Sequence, residues 1–319
     1  VYPVKILVIL NAQAGANASR ENSEIRGSIA EAFSENGLAA DIQFVEPQLL
    51  GEAARGGLER AKDGDLRAVV VGGGDGTVRS VAGALAGSAV PLGILPLGTL
   101  NHFAKDLGIP IELNDAIRII AEGHSRKVDV AEVNGERFIN NSSIGVYPYM
   151  VLDRDRRRKL QGGSKWIAMS LALIRVMRSF PRRQIAVRTK AGAGAFNTPC
   201  LFVGNNEYGT DVFRLGKRER LDAGELWLYV ASVASPWAFF RLARRMAFGS
   251  MEVGRDLTVL RVKSAEIVAG VSRIPVSLDG EVEILKTPLN YAILPGALTV
   301  YVPSAADEPG SDPTRAPVT

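Results

Sequence analysis

Cysteine is nearly missing from this chain. Cys200 is the only one in 319 residues, which excludes an internal disulfide and fits a reducing compartment. Only two histidines accompany it, so a zinc site built from nitrogen and sulfur ligands is not expected. Long apolar runs are missing as well. The most apolar helical stretch, residues 167–174, contains Ser170 and stops at Arg175, and the longer stretch 226–240 is broken by Pro236. Neither supplies the ~20 consecutive apolar residues that a spanning helix needs. The first residues, Val1-Tyr2-Pro3, lead directly into an apolar strand and not into the basic stretch of a secretory leader. A soluble or peripheral protein of the cytoplasm is the expectation.

Nor does charge of one sign dominate. With a net charge of +4, 46% hydrophobic and 23% charged residues, the composition is that of an ordinary globular protein, and neither wholesale disorder nor an integral membrane protein is indicated. The modest total conceals an uneven distribution, because residues 151–190 hold twelve Lys or Arg against Asp153 and Asp155. The length exceeds the usual single domain and suits two, each with a core of its own.

What the chain does have is glycine, placed where strands end. Val69-Val70-Val71 reads as the end of a buried strand, and Gly72-Gly73-Gly74-Asp75-Gly76-Thr77 then makes a turn too tight for side chains. A strand feeding a glycine turn and a helix presents bare amides to phosphate, with the helix N-terminus adding positive potential. The spacing is that of neither a Walker loop nor a Rossmann fingerprint. Asp75, inside the turn, calls for a bridging metal ion or for a hydroxyl whose proton it can accept. An ordinary glycine turn closing a strand is the plain alternative.

Around this turn the first part of the chain alternates. Strands are expected at 4–10, 40–45, 67–71 and 91–95. Helices are expected at 19–36, 51–62 and 77–85, with another through Leu107. The pattern predicts right-handed βαβ units and a parallel sheet with ligands at the carboxyl ends of its strands. The character changes near Lys127. Strand-like runs then dominate, at 128–133, 137–141, 184–189, 200–203, 226–230, 257–262, 274–278, 282–285 and 298–302. Few helices separate them, which predicts a mainly antiparallel second domain interrupted by helical inserts at 164–180 and 237–248. The expected organisation is an α/β domain over 1–127, a β-rich domain over 128–302, and a disordered tail over 303–319 that lacks apolar periodicity.

Two further stretches could carry chemistry. Pro96-Leu97-Gly98-Thr99-Leu100-Asn101 is a second strand-to-helix turn, in which Thr99 or Asn101 could cap the helix or donate to a phosphate. Leu278-Asp279-Gly280-Glu281 lies far away between apolar runs, where Asp-Gly is also a strong hairpin signal. Carboxylates from two domains converging on a phosphate cleft would supply a metal ligand and a general base together.

The runs Gly73-Gly74-Asp75-Gly76-Thr77, Leu97-Gly98-Thr99-Leu100-Asn101 and Asp279-Gly280-Glu281, in that order, resemble the diacylglycerol kinase catalytic-domain family. This family includes bacterial lipid kinases and the sphingosine and ceramide kinases. The resemblance covers roughly residues 4–302. It implies an ATP- and Mg²⁺-dependent kinase with an N-terminal domain like those of phosphofructokinase and NAD kinase, a β-sandwich second domain, and nucleotide between them. Asn11 and Gly15 match the family's nucleotide loop, with Ala12 where proline is usual. Gly73, Gly74, Asp75, Gly76, Thr77, Val78 and Arg79, with Gly98, Thr99 and Asn101, match the phosphate turns. Glu281 matches the proton acceptor of bacterial members, whereas the residue matching Asp75 has that role in sphingosine kinases. The expectation is Glu281 as base, with Asp75 and Asp279 organising Mg²⁺ and phosphates. Leu221-Asp222-Ala223-Gly224-Glu225 resembles a structural metal site in which Ala223 replaces a second aspartate, leaving Asp222 as the candidate ligand. Asn205, Asn206 and Tyr208 match a structural turn, and 140–145 a segment leading into the second domain.

The acceptor side is read from the inserts. Basic residues 154–159, Lys165-Trp166 and the following apolar helix, and then Trp237, Phe239, Phe240, Arg241, Arg244 and Arg245, suit an anionic membrane surface. Packing on the sheet with solvated arginines is the alternative. The expected partner is a lipid substrate, most simply diacylglycerol or a related glycerolipid. No nucleic-acid module is recognisable, and oligomerisation is left open. A soluble acceptor such as NAD, or a nucleotide- or membrane-binding relic without catalysis, are the competing readings.

Overall fold

The computed structural model describes residues 4–12, 18–152, 183–209, 218–231 and 257–304, together with Ser235, Trp237, Ala238, Arg241, Arg244 and Arg245. The predicted insert at 164–180 and most of that at 237–248 lie outside these residues, as does Gly15. No helix among the described residues is long and apolar enough to cross a membrane. The chain divides into two compact units, Val1–Val128 with Gly296–Thr319, and Asp129–Pro295.

In the first unit β1 (Val4–Asn11), α1 (Ala18–Glu35), β2 (Leu38–Val45), α2 (Leu50–Lys62), β3 (Ala68–Gly73), α3 (Asp75–Leu85), β4 (Leu92–Pro96), α4 (His102–Asp106) and α5 (Leu113–Glu122) follow one another. The strands pair in parallel in the order β2-β1-β3-β4. Every residue of β3 and β4 is buried, the continuous apolar run of a sheet covered on both faces. Ile29 and Phe33 of α1, Leu50 and Ala54 of α2, and Val81 and Leu85 of α3 are buried, so each helix turns one apolar stripe inward.

Two differences from the sequence reading stand out here. Helix α3 begins at Asp75, not at Thr77, which puts Asp75 in the first helical turn. Helix α5 was not expected at all. It buries Ala116, Ile117, Ile119 and Ile120 and ends on Gly123 at φ 78°, a left-handed C-terminal glycine.

The second unit holds β5 (Ser125–Val133, entering from the first unit), β6 (Glu136–Phe138), β7 (Asn141–Gly145), β8 (Arg183–Thr189), β9 (Gly192–Thr198) and β10 (Cys200–Asn205). It continues with β11 (Leu226–Ala231), β12 (Leu257–Val262), β13 (Ser264–Ala269), β14 (Arg273–Leu278), β15 (Glu281–Lys286) and the start of β16 (Leu289–Tyr301). One sheet runs β12-β11-β10-β7-β14-β15, all antiparallel. The other carries β16-β13-β8-β9, also antiparallel in this unit. Alternate residues of both sheets form one core: Leu226, Leu228 and Val230, and Ile274, Val276 and Leu278, meet Ala265, Ile267 and Ala269, and Leu289, Tyr291 and Ile293. Period-two burial on two sheets is what makes this unit a sandwich.

Strand β16 was expected to begin at Leu298 and to belong wholly to the second domain. It is 13 residues long, and its residues are shared between the two units. Val300 pairs in parallel with Leu92, and Val302 N–H donates to the carbonyl of His124 at 3.0 Å, so the chain returns to the first unit after Pro295.

Candidate functional site

In the first unit the parallel register sets three strand ends side by side. Leu10 stands opposite Gly72, and Gly73 opposite Pro96. Asn11, the glycine turn and the 97–101 turn therefore come together at the carboxyl edge, as expected. The two turns touch backbone to backbone. A Cβ built on Gly98 would lie 2.3 Å from Gly74 Cα and 2.7 Å from Asn101 Oδ1, distances no side chain can occupy.

Asp75 joins the turns electrostatically. Its Oδ2 accepts the His102 N–H and its Oδ1 the Phe103 N–H, both at 3.2 Å. It thus caps α4 from the neighbouring turn, a role that sequence reading offered to Asn101 or Thr99. Asn101 sits at φ 51° with no capping hydrogen bond. Its buried side chain instead closes its own loop: Nδ2 donates to the carbonyls of Pro96 at 3.0 Å and Gly98 at 2.9 Å, and Oδ1 accepts Gly98 N–H at 3.0 Å. An asparagine tolerates this left-handed backbone.

The start of α3 is different. Its N-cap is Gly74, which has no side chain to cap the first turn, so the turn combines early helix amides with the positive end of the helix dipole. Thr77 is buried at the base of this turn and accepts from Asn11 Nδ2 at 3.3 Å. Val78 and Arg79 are buried in the same helix. Gly76 follows Asp75 and is half-buried, whereas Thr99 is exposed on the second turn.

In the second unit Asp279 and Gly280 have φ of 49° and 90°, and Leu278 pairs with Glu281. This is the two-residue hairpin that Asp-Gly favours. The carboxylate of Asp279 does more than turn the chain. Oδ2 accepts Ile139 N–H at 2.8 Å, and Oδ1 accepts Asn140 N–H at 2.8 Å and Asn141 N–H at 2.9 Å. Glu281 is exposed as the first residue of β15, its position set by a hairpin anchored through three amides.

Beneath this anchor lies a polar network built partly from the residues 140–145, Asn205, Asn206 and Tyr208 that the sequence had marked as structural. Asn205 Nδ2 donates to the carbonyls of Asp129 at 2.9 Å and Ile139 at 2.8 Å. Asn141 Nδ2 donates to Tyr208 Oη at 3.2 Å. Sequence reading missed Arg218 and Asp129. Buried Arg218 donates to the carbonyls of Ile139 and Asn205 and, at 2.6 Å, to Asn140 Oδ1. In the sequence Lys217-Arg218-Glu219-Arg220 nothing distinguishes it from the exposed Arg220. Asp129 is buried, with Oδ2 accepting Gly224 N–H at 2.6 Å. Its signal was a carboxylate inside the apolar run 128–133.

Asp222, the candidate metal ligand, is exposed and pairs with Arg220 at 3.1 Å. Glu225 of the same loop pairs with Arg261, which holds its carboxyl below the ordinary range. Among the described residues no group of three or more His, Cys, Asp and Glu could hold a metal ion. Burial pushes the Cys200 thiol up to about 11, which removes it as a nucleophile at neutral pH.

The family model of the diacylglycerol kinase catalytic domain matches residues 5–133. A Pseudomonas aeruginosa protein named "Probable lipid kinase YegS-like" is 30% identical over 319 aligned residues, covering 95% of each chain. An Escherichia fergusonii protein, "Probable lipid kinase YegS", is 34% identical over 171 residues, 52% of this chain and 54% of that one. Among solved structures, a diacylglycerol kinase-like protein of Bacillus anthracis superposes with a TM-score of 0.71 at 26% identity, covering 94% of this chain and 98% of the other.

Proposed function

The chain belongs to the lipid kinases of the diacylglycerol kinase catalytic-domain family, and from that premise we propose that it transfers the γ-phosphoryl group of ATP to the free hydroxyl of a glycerolipid, with diacylglycerol the leading acceptor. The observation that supports this reading is the pair of turns locked through Gly74, Gly98 and Asp75. A triphosphate fits them. The first turn of α3, with glycine as its N-cap, offers amides and a positive dipole end, and glycine at 74 and 76 leaves the backbone there without side chains.

Mg²⁺ also fits, since it commonly travels with phosphates and asks only one or two carboxylates of a protein. Asp75 is the carboxylate at hand, because each oxygen that accepts an amide keeps a lone pair. When bound, the ion would neutralise charge on the phosphate oxygens. Asn11, through Thr77, fixes the floor of the turn, and Thr77 and Arg79 add polar groups beside the phosphates.

In the transfer the lipid oxygen attacks the γ-phosphorus, the bond to the β,γ-bridging oxygen breaks, and ADP departs. The hydroxyl proton passes to Glu281, which therefore has to come within about 3 Å of it, directly or through one water. Asp279 acts as a positioning residue by fixing the hairpin that presents Glu281. The twelve cations of residues 151–190 support an acceptor presented on an anionic membrane.

The test is incubation with γ-labelled ATP and a panel of lipids in mixed micelles. Label in a lipid product is the expected result. Glu281→Gln should bind ATP as tightly as the unchanged protein while turnover falls by about 10²–10⁴. Transfer to no lipid, or only to a soluble acceptor such as NAD, overturns the proposal, and a non-catalytic relic would give neither activity nor a difference between the two proteins.

A further inference from the structure

Tyr147 lies just beyond β7, within residues 146–152, which are helical. It is 45% exposed, and among the described residues no hydrogen bond engages its hydroxyl. Its position is defined by the acidic hairpin. A methyl group added to Gly280 would stand 3.9 Å from Tyr147 Oη and, apart from its chain neighbours, meet nothing else within 4 Å among the described residues. Among the described residues the space over Gly280 is thus open, walled by a phenol hydroxyl, and flanked in sequence by Asp279 and Glu281. Because Gly280 has φ 90°, a side chain there would be strained, which keeps the opening clear.

A tyrosine half in solvent joins an apolar ring to a polar tip. That pairing matches the part of a glycerolipid where hydrocarbon gives way to ester and hydroxyl. A hydroxyl on its way to Glu281 carries its neighbouring ester past Gly280, within reach of Tyr147 Oη. The carboxylates of Asp279 and Glu281 accept and do not donate, so Tyr147, beside Gly280, is the described side chain that can donate to an acceptor group there.

We propose that Tyr147 determines acceptor specificity by donating its hydroxyl hydrogen to the ester carbonyl adjacent to the reacting hydroxyl. The inference rests on the lipid kinase reading with Glu281 as base. The preferred acceptor is then a diester glycerolipid, and a dialkyl ether with the same hydroxyl and chains lacks the group that Tyr147 recognises.

The experiment compares the unchanged protein with Tyr147→Phe, which removes only the hydroxyl, on dioleoylglycerol and on the matching dialkylglycerol in the same micelles. Thermal melts verify that both proteins are folded. One hydrogen bond to a neutral carbonyl corresponds to about a tenfold change, so the diester-to-diether ratio of kcat/KM should fall about tenfold in the variant. Equal loss on both acceptors, or loss on neither, overturns the inference while leaving the kinase reading intact. Absence of lipid phosphorylation by the unchanged protein overturns both.

Discussion

Replacing Asp279 is the sharpest test of how the acidic hairpin is held. In Asp279→Ala three amide donors, those of Ile139, Asn140 and Asn141, lose a charged acceptor at 2.8–2.9 Å. A hydrogen bond to a charged group contributes about 1.5–3 kcal/mol net, an upper sum of about 4.5–9 kcal/mol for the three. These bonds are partly buried, so water can replace some of the loss, and about 3–5 kcal/mol is the working figure. Alanine at φ 49° adds about 1 kcal/mol of backbone strain. Asparagine keeps an oxygen in place and tolerates the backbone, so Asp279→Asn should cost only about 1–2 kcal/mol. Glycine should fall between the two, since it removes the strain but not the lost bonds.

Against a typical total stability of about 5–15 kcal/mol, the alanine variant should be visibly destabilised. Equilibrium urea unfolding gives the order, and hydrogen exchange at 139–141 gives the location. The argument fails if alanine costs under about 1 kcal/mol, if alanine and asparagine are indistinguishable, or if exchange at those three amides is unchanged.

Gly98→Ala should act on nucleotide binding more than on folding of the second unit, because the new methyl overlaps Gly74 Cα at 2.3 Å and must part the turns. We expect at least a tenfold rise in KM for ATP, and an unchanged KM would show that the contact is irrelevant to the phosphate site. The Glu225–Arg261 pair should contribute to stability in one pH direction only. The Arg261 hydrogen bonds lower the Glu225 pKa from 4.5, so the contribution is present above the unfolded carboxylate value and disappears as pH falls through the folded one. Glu225→Gln should therefore differ from the unchanged protein at neutral pH and converge with it in acid. Arg261 is largely exposed, so the difference should be small and should shrink in high salt; a difference that persists in acid would rule out the ion pair as its source.

What the sequence revealed and what it withheld divide along the range of the interactions. The parallel strands and their glycine turns were readable because Val69-Val70-Val71 followed by glycine is a local statement about burial and backbone freedom. The hairpin at Asp279-Gly280 was readable for the same reason. Helix α5 and strands β9 and β13 were not. Strand β9 is Gly-Ala-Gly-Ala-Phe-Asn-Thr, a poor strand former by propensity, and it exists because all seven residues pair with β8.

The candidate carboxylates illustrate the same limit at the level of single atoms. Sequence placed Asp75 in a phosphate turn and Asp279 in an acidic hairpin, but their acceptor bonds run 27 and 28 residues away for Asp75 and 138–140 residues away for Asp279. No periodicity encodes such partners. Both aspartates thereby hold backbone in place, one the start of α4 and the other the entry to β7, and Glu281 is the residue of the three that the hairpin presents in the open. If proton acceptance belonged to Asp75 instead, Asp75→Asn would abolish turnover with ATP affinity unaltered. If Asp75 mainly positions α4 and the phosphates, the same change should weaken ATP binding and turnover together. Separating KM from kcat for that one variant decides between the two roles.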